Sequence, residues 1–145
     1  MALVVRPLGA EDEYALIPID VSYSVTHLVE PMVGRTQLSF YSRAGHSFIA
    51  EARGVISGFV LGHAIWDGSR PSVRIRRVVS SENQSHIRAA LLDAVVKSAY
   101  DSGVYDIELE FVSSDEALRA VLEEKGFELK PIRLYNRRLG SQAMS

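Results

Sequence analysis

The chain has 145 residues, 47% of them hydrophobic and 23% charged, which suits one buried core and argues against a disordered chain. Its 16 Lys+Arg against 18 Asp+Glu leave a net charge of -2, so a general nucleic-acid binder is not expected. There is no cysteine, which excludes disulfides, thiolate zinc sites, cysteine-held iron–sulfur clusters and a cysteine nucleophile.

The opening "MALVVRPLGAEDE" turns acidic at once, so no signal peptide is expected. The longest mostly apolar run, "GVISGFVLGHAIWDG", is too short to cross a bilayer. The expectation is a cytoplasmic protein with no membrane partner. "ALVVRPL" reads as a first strand. In "GAEDEYALIPID" the acidic residues mark a helix start, and Pro18 near the end predicts a short helix. "VSYSVTHLVE" alternates at Val21, Tyr23, Val25, His27 and Val29, and fits either a strand or a helix. Thr36 is placed to cap a helix over "QLSFYSRA", with Gly45 as its stop.

"HSFIAEA" and "GVISGFVLGHAIWDG" form a hairpin through Arg53-Gly54, and "SVRIRRVV" follows as a third strand of that block. From Gln84 the period changes: Ile87, Ala90, Leu91, Ala94, Val95 and Ala99 line one helical face, and Gly103 stops it. "YDIELEFV" alternates as a strand. "SSDEALRAVLEEKG" has Ser/Asp caps, gathers Leu118, Val121 and Leu122 on one face, and ends at Gly126. "FELKPIRLYNRRL" is strand material interrupted by Pro131. One domain over residues 1–139 with a loose tail at 140–145 is expected. The strand–helix–strand unit around Ala89–Tyr100 predicts a parallel crossover, and the rest pairs antiparallel. The fold class is α/β, with a mixed, mostly antiparallel central sheet and helices on both faces.

Four pieces in order, "ISGFVLGHAIW", "VRIRRVV", "AALLDAVVKSAYDSGVYDIELEF" and "DEALRAVLEEKGFEL", resemble the GNAT superfamily, the Gcn5-related N-acetyltransferases. They cover roughly the C-terminal two-thirds of the chain. The resemblance implies that the fourth strand and the next helix splay from the fifth strand, and that acetyl-CoA lies in the opening. Its pyrophosphate is then held by amides at the helix N-terminus, where unpaired N–H groups and the macrodipole attract an anion. On this basis the cofactor-binding residues are Val78, Val79, Ser80, Gln84, Ser85, His86, Ile87 and Arg88. The family's loop runs arginine or glutamine, two spacers, glycine, one residue, then glycine or alanine. Aligning on "ALLDAV" puts Asn83 at the first position and His86-Ile87-Arg88 at the glycine triplet, whereas anchoring on "RIRRVV" leaves the loop about two residues short. Either way the loop has no glycine. In one reading Ser80, Ser81, Ser85 and the backbone around Gln84 to Ile87 still cradle phosphate, with His86 and Arg88 adding charge; in the other, Ser81 or Ser85 is an ordinary N-cap, Arg88 is solvated, and the CoA slot is narrowed or filled.

The resemblance also implies a tyrosine acid on the helix before Gly126-Phe127, where Leu122 stands, and an asparagine at that helix's start, where Asp115 stands. Leucine donates no proton, so the catalytic residues stay unassigned. Glu110 is a candidate base and Tyr23 a candidate acceptor-site group; Tyr41, His46, His63 and the triplet Arg74, Arg76, Arg77 are weaker alternatives. No two histidines have a metal-ligand spacing, so no metal is expected. The implied function is acetyl-CoA-dependent transfer of an acetyl group to a small-molecule amine or a protein amino group. The alternative is a catalytically inactive GNAT-like binding or regulatory module. A homodimer fits either.

Overall fold

The computed structural model describes residues 2–140. Its strands are β1 (Leu3–Pro7), β2 (Phe48–Ala52), β3 (Val55–Asp67), β4 (Arg70–Ser80) and β5 (Ile107–Leu109). Its helices are α1 (Glu13–His27), α2 (Arg35–Ala44), α3 (Ser85–Asp101) and α4 (Glu116–Glu124), with 3-10 turns at Ala10–Asp12 and Ser81–Asn83. The strands lie in the order β1-β2-β3-β4-β5. All neighbours pair antiparallel except β4 and β5, which are parallel and joined through α3 as the sequence predicts.

Helices cover both faces of the sheet. On one, Ile87, Leu91, Leu92 and Val95 of α3 and Leu118 and Leu122 of α4 pack on Val60, Val73, Ile75 and Val78. On the other, Leu16 and Tyr23 of α1 and Leu38 and Tyr41 of α2 pack on Ile49, Phe59, Leu61 and Val79. Gly58 of β3 sets how closely α3 approaches. A Cβ there would lie 2.7 Å from Val79 O and 2.9 Å from Ile87 Cγ2, so only glycine lets the first turn of α3 rest on the sheet.

Three expectations change. "GAEDEYALIPID" and "VSYSVTHLVE" are not a short helix and an ambiguous run; α1 runs unbroken through Pro18. Its buried stripe is Leu16, Asp20, Tyr23 and Ser24, a helical period that two polar residues hide from a hydrophobicity reading. Pro18 removes one bond, back to the exposed Tyr14, which a helix held by its packed face tolerates. Helix α2 starts one residue before Thr36, with Gly34 as its N-cap, and does end at Gly45 in the left-handed region (φ +88°).

The last change is at the C-terminus. "FELKPIRLYNRRL" forms no strand among the described residues, and Leu129, Ile132, Leu134, Tyr135 and Leu139 are exposed. A strand needs a ladder partner. β5 is only three residues long, and Pro131 has no N–H to give. Residues 141–145 of the expected tail lie outside the described residues.

A β-bulge positions the opening. Leu61 pairs with Arg77 and Gly62 with Ile75, so Arg76 is the extra residue of β4. The bulge turns Arg76 and Arg77 to the same face: Arg76 meets Glu110, and Arg77 meets Asp20 of α1 at 2.8 Å. The last partners of β4 and β5 are Ile75 and Leu109, followed by a bond from Glu110 N to Ile75 O (3.0 Å). Past that point the two strands part.

Candidate functional site

β4 runs on to Ser80, and the chain then turns into α3 without glycine. Glu82 and Asn83 take the left-handed conformation themselves, at φ +56° and +53°. Each such residue stores roughly 1–2 kcal/mol, with asparagine at the cheaper end. Ser80 closes the turn: its Oγ accepts from Gln84 N at 2.6 Å. The amides of Ile87 and Arg88 both return to Gln84 O. Those of Ser85 and His86, the first two residues of α3, have no carbonyl one turn back within the helix.

Where the strands part, a cavity of about 570 Å³ opens, walled by Tyr23, His27, Ser80, Asn83, Arg88 and Asp115 among others. Its floor is a buried ion pair. Arg88 and Asp115 are each 2% exposed. Arg88 Nε and Nη2 donate to Val78 O (3.1 and 3.0 Å), and Nη1 donates to Asn83 Oδ1 (3.2 Å). Nη1 and Nη2 also donate to Asp115 Oδ1 and Oδ2 (3.0 and 2.5 Å). All five N–H donors of the guanidinium are thereby in use. The Tyr23 hydroxyl donates to Asp115 Oδ2 at 2.7 Å, and Leu118 N donates to Asp115 Oδ1 at 3.2 Å as the cap of α4. The guanidinium carbons of Arg77 and Arg88 lie 5.2 and 5.7 Å from the centre of the Tyr23 ring. His27 stacks on the same ring at 4.5 Å, its Nδ1 2.7 Å from Ser114 Oγ.

These contacts shift the acids apart. Burial pushes the Asp115 carboxyl up, but the hydrogen bonds from Arg88 and Tyr23 outweigh it and hold the group below the usual carboxylate range. Burial and the Asp115 acceptor push the Tyr23 phenol well above its ordinary value, so it keeps its proton.

The residues singled out in the sequence fall into three places. Val79, Ser80, Arg88 and Tyr23 meet at the cavity. Ser85 and His86 are exposed at the amino end of α3, and Gln84 is half-buried before it. The side chains of Val78 and Ile87 lie in the core under α3. Arg88 points inward rather than to solvent. Glu110 follows the last residue of β5 and is not among the residues that wall the cavity; its Oε2 lies 2.7 Å from Arg76 Nε. His63 packs against the rings of Phe40 and Tyr41, and His46 sits 2.5 Å from Ser98 Oγ. Leu122 is buried in the core. Asp115 was readable as a helix cap and as the residue at the position of the family's asparagine, but not as the partner of Arg88, and the roles of His27 and Ser114 left no sequence signal. Among the described residues no group of three or more His, Asp or Glu could hold a metal ion, and no helix is long and apolar enough to cross a membrane.

A family model described as a protein of unknown function, DUF1999, matches residues 32–137. The chain belongs to DUF1999. A crystal structure of TTHA1254 from Thermus thermophilus is 35% identical to this DUF1999 chain. The match covers 95% of this chain and 98% of that one, with a TM-score of 0.79. More distant is a ribosomal-protein-alanine N-acetyltransferase from Brucella melitensis biovar Abortus 2308, at 19% identity. It matches over 96% of this chain and 100% of that one, with a TM-score of 0.70. A predicted acetyltransferase from Clostridium acetobutylicum, solved with acetyl-CoA, is 18% identical over 94% and 96%, with a TM-score of 0.70. No curated protein sequence matches. This DUF1999 protein shares the fold of these acetyltransferases, the mixed α/β fold expected from the sequence.

Proposed function

We propose that this DUF1999 protein is an acetyl-CoA-dependent N-acetyltransferase, acting in the cytoplasm as one domain over residues 1–139 on a small-molecule amine or a protein amino group. The observation that carries this reading is the parting of β4 from β5 after Ile75 and Leu109, with a cavity of about 570 Å³ beside the amino end of α3. Distant neighbours of the same fold named as acetyltransferases, one solved with acetyl-CoA, support it. The residues fit such a donor at its phosphate end. Ser85 and His86 offer free amides at the positive end of α3, on a turn that Ser80 and Gln84 hold closed. Val79 and Arg88 wall the cavity beside them, with Val78 and Ile87 in the core beneath. The thioester supplies the activated acetyl group. The chain must supply a base for the amine and a proton for the leaving thiol. Glu110, a half-exposed carboxylate just past the end of β5, is the proposed base, and Tyr23, a protonated phenol on the cavity wall, the proposed acid.

Titration calorimetry and thermal unfolding with acetyl-CoA test the reading. Binding heat and a Tm that rises with ligand are expected, since a ligand of the folded state alone stabilises it. No heat and no shift at millimolar ligand would overturn it. Thiol release with a panel of primary amines and of peptides with free amino termini then tests transfer. Glu110→Gln and Tyr23→Phe should each slow it by about 10²–10⁴.

A specific observation favours the second reading, a non-catalytic binding or regulatory module. Arg88 has no N–H left for a ligand, and Leu122 occupies the core where the resemblance implies a proton donor. Acetyl-CoA binding without thiol release from any amine would favour this module over the enzyme. In either case we infer a homodimer, built on the exposed apolar C-terminal segment and the open edge of β5.

A further inference from the structure

Any chain-like ligand that enters between β4 and β5 needs the backbone groups that β5 leaves free. Val78 O, three residues beyond the last bond to β5 at Ile75, is such an acceptor, and it is already taken. Arg88 gives it two hydrogen bonds and uses its remaining donors on Asn83 in the turn and Asp115 at the head of α4. One side chain thus ties β4 to the segment beyond β5 across the gap where they separate. It also stands at a position where the aligned family loop has its second small residue.

We infer that Arg88 is the specificity-determining residue of this opening, a resident side chain that must be displaced before the extended arm of an acyl donor can lie along β4. The inference rests on the acyl-CoA reading above. The surroundings allow such a displacement. Asp115 keeps the Tyr23 hydroxyl (2.7 Å) and the Leu118 amide (3.2 Å) as donors when the guanidinium leaves. The cavity that Arg88 itself walls gives the side chain somewhere to go, and Asn83 on the same wall already holds one of its nitrogens. The missing glycines and the buried arginine are then one adaptation: a small residue at that position leaves the strands open, whereas Arg88 closes them.

Calorimetry with CoA and acetyl-CoA on the unaltered chain, on Arg88→Ala and on the Arg88→Ala/Asp115→Asn pair tests this. In the paired variant the amide oxygen still caps Leu118 N, the amide NH2 faces the Tyr23 hydroxyl and donates to its oxygen, and no buried charge is left alone. Ethylguanidinium, which replaces the missing side-chain atoms, keeps the single variant folded for measurement, should raise its Tm, and should compete with CoA. The expected result is CoA binding at least tenfold tighter in the variants. Equal or weaker binding by a folded variant overturns the inference, and leaves the acyl-CoA reading standing if the unaltered chain binds. Binding by the variants alone supports it and overturns that reading for the unaltered chain. No binding by any of the three overturns both. In the unaltered chain, the Arg88 Nε–H resonance should be protected from exchange without ligand and lose that protection on saturation with acetyl-CoA. Protection that persists at saturation also overturns the inference.

Discussion

Asp115 accepts four hydrogen bonds, two from Arg88 and one each from Tyr23 and Leu118 N, while almost wholly buried. A buried pair of this kind adds little net stability over an apolar pair of the same shape, because desolvation offsets the attraction. Removing one partner is costly, since the other is left charged in the core. Asp115→Ala should therefore cost about 3–5 kcal/mol in urea unfolding, far more than an N-cap alone at roughly 1 kcal/mol. A loss near 1 kcal/mol would mean that water reaches Arg88. The pH dependence follows from the two shifted acids. Asp115 is held below its ordinary value, so its contribution is complete above the unfolded carboxylate value of roughly 4 and is lost as pH falls through the folded value. Tyr23 is held above its ordinary value, so above roughly pH 10 the unfolded chain ionises first and stability falls. Tyr23→Phe should flatten the alkaline arm of a stability–pH curve and weaken the acid arm without abolishing it, because Arg88 still lowers Asp115; an unchanged alkaline arm would rule this out.

At the scale of elements, close packing rather than propensity sets the geometry, and Gly58 shows it most sharply. A methyl group at residue 58 meets a backbone oxygen of β4 and the side chains of Ile87 and Leu91 of α3 at once, so the helix must lift from the sheet at the end that borders the cavity. Gly58→Ala should cost about 1–3 kcal/mol in chemical unfolding. It should also speed amide exchange in the first turn of α3 more than at its C-terminal end. Uniform exchange along the helix would show that the strain spreads elsewhere. The same scale explains what could be read in the chain. α3 and the β2–β3 hairpin were legible because apolar residues set most of their periods, Arg88 being the polar member of the buried face of α3. α1 was not, because its buried stripe includes Asp20, whose carboxylate serves Arg77 and the amides of Met32 and Val33. Arg88 was misplaced for a related reason. A charged residue reads as solvent-facing, and its counter-ion lies 27 residues away on another helix. Pattern reading finds faces, whereas paired charges across faces need coordinates.

For the molecule as a whole, the C-terminal segment is the part that its own fold leaves unused. Leu129, Ile132, Leu134, Tyr135 and Leu139 are exposed in chain without regular secondary structure, and the last strand of the sheet has no neighbour on its outer edge among the described residues. An open edge and a strand-like apolar segment complement each other by β-addition. The segment carries Lys130, Arg133, Arg137 and Arg138 against Glu128, whereas the β5 region carries Asp106, Glu108 and Glu110, which already pair with Arg70, Arg74 and Arg76 of β4, so the apolar residues and the open edge carry the proposal. Within one chain the segment forms no ladder with β5, and its recorded anchor is an exposed pair between Arg138 and Glu30 at 2.9 Å. In the proposed homodimer a second copy would supply the edge that the first cannot reach, and symmetry would let each chain lend its segment to the other. The full chain should therefore sediment as a dimer, and a chain ending at Phe127 as a folded monomer with the same helical circular dichroism. The Ile132→Glu/Leu134→Glu pair should shift the full chain toward monomer without lowering the Tm of the monomeric form. A full-length chain that stays monomeric up to its solubility limit would overturn the dimer. So would a truncated chain that still pairs, because the contact would then lie elsewhere on the surface.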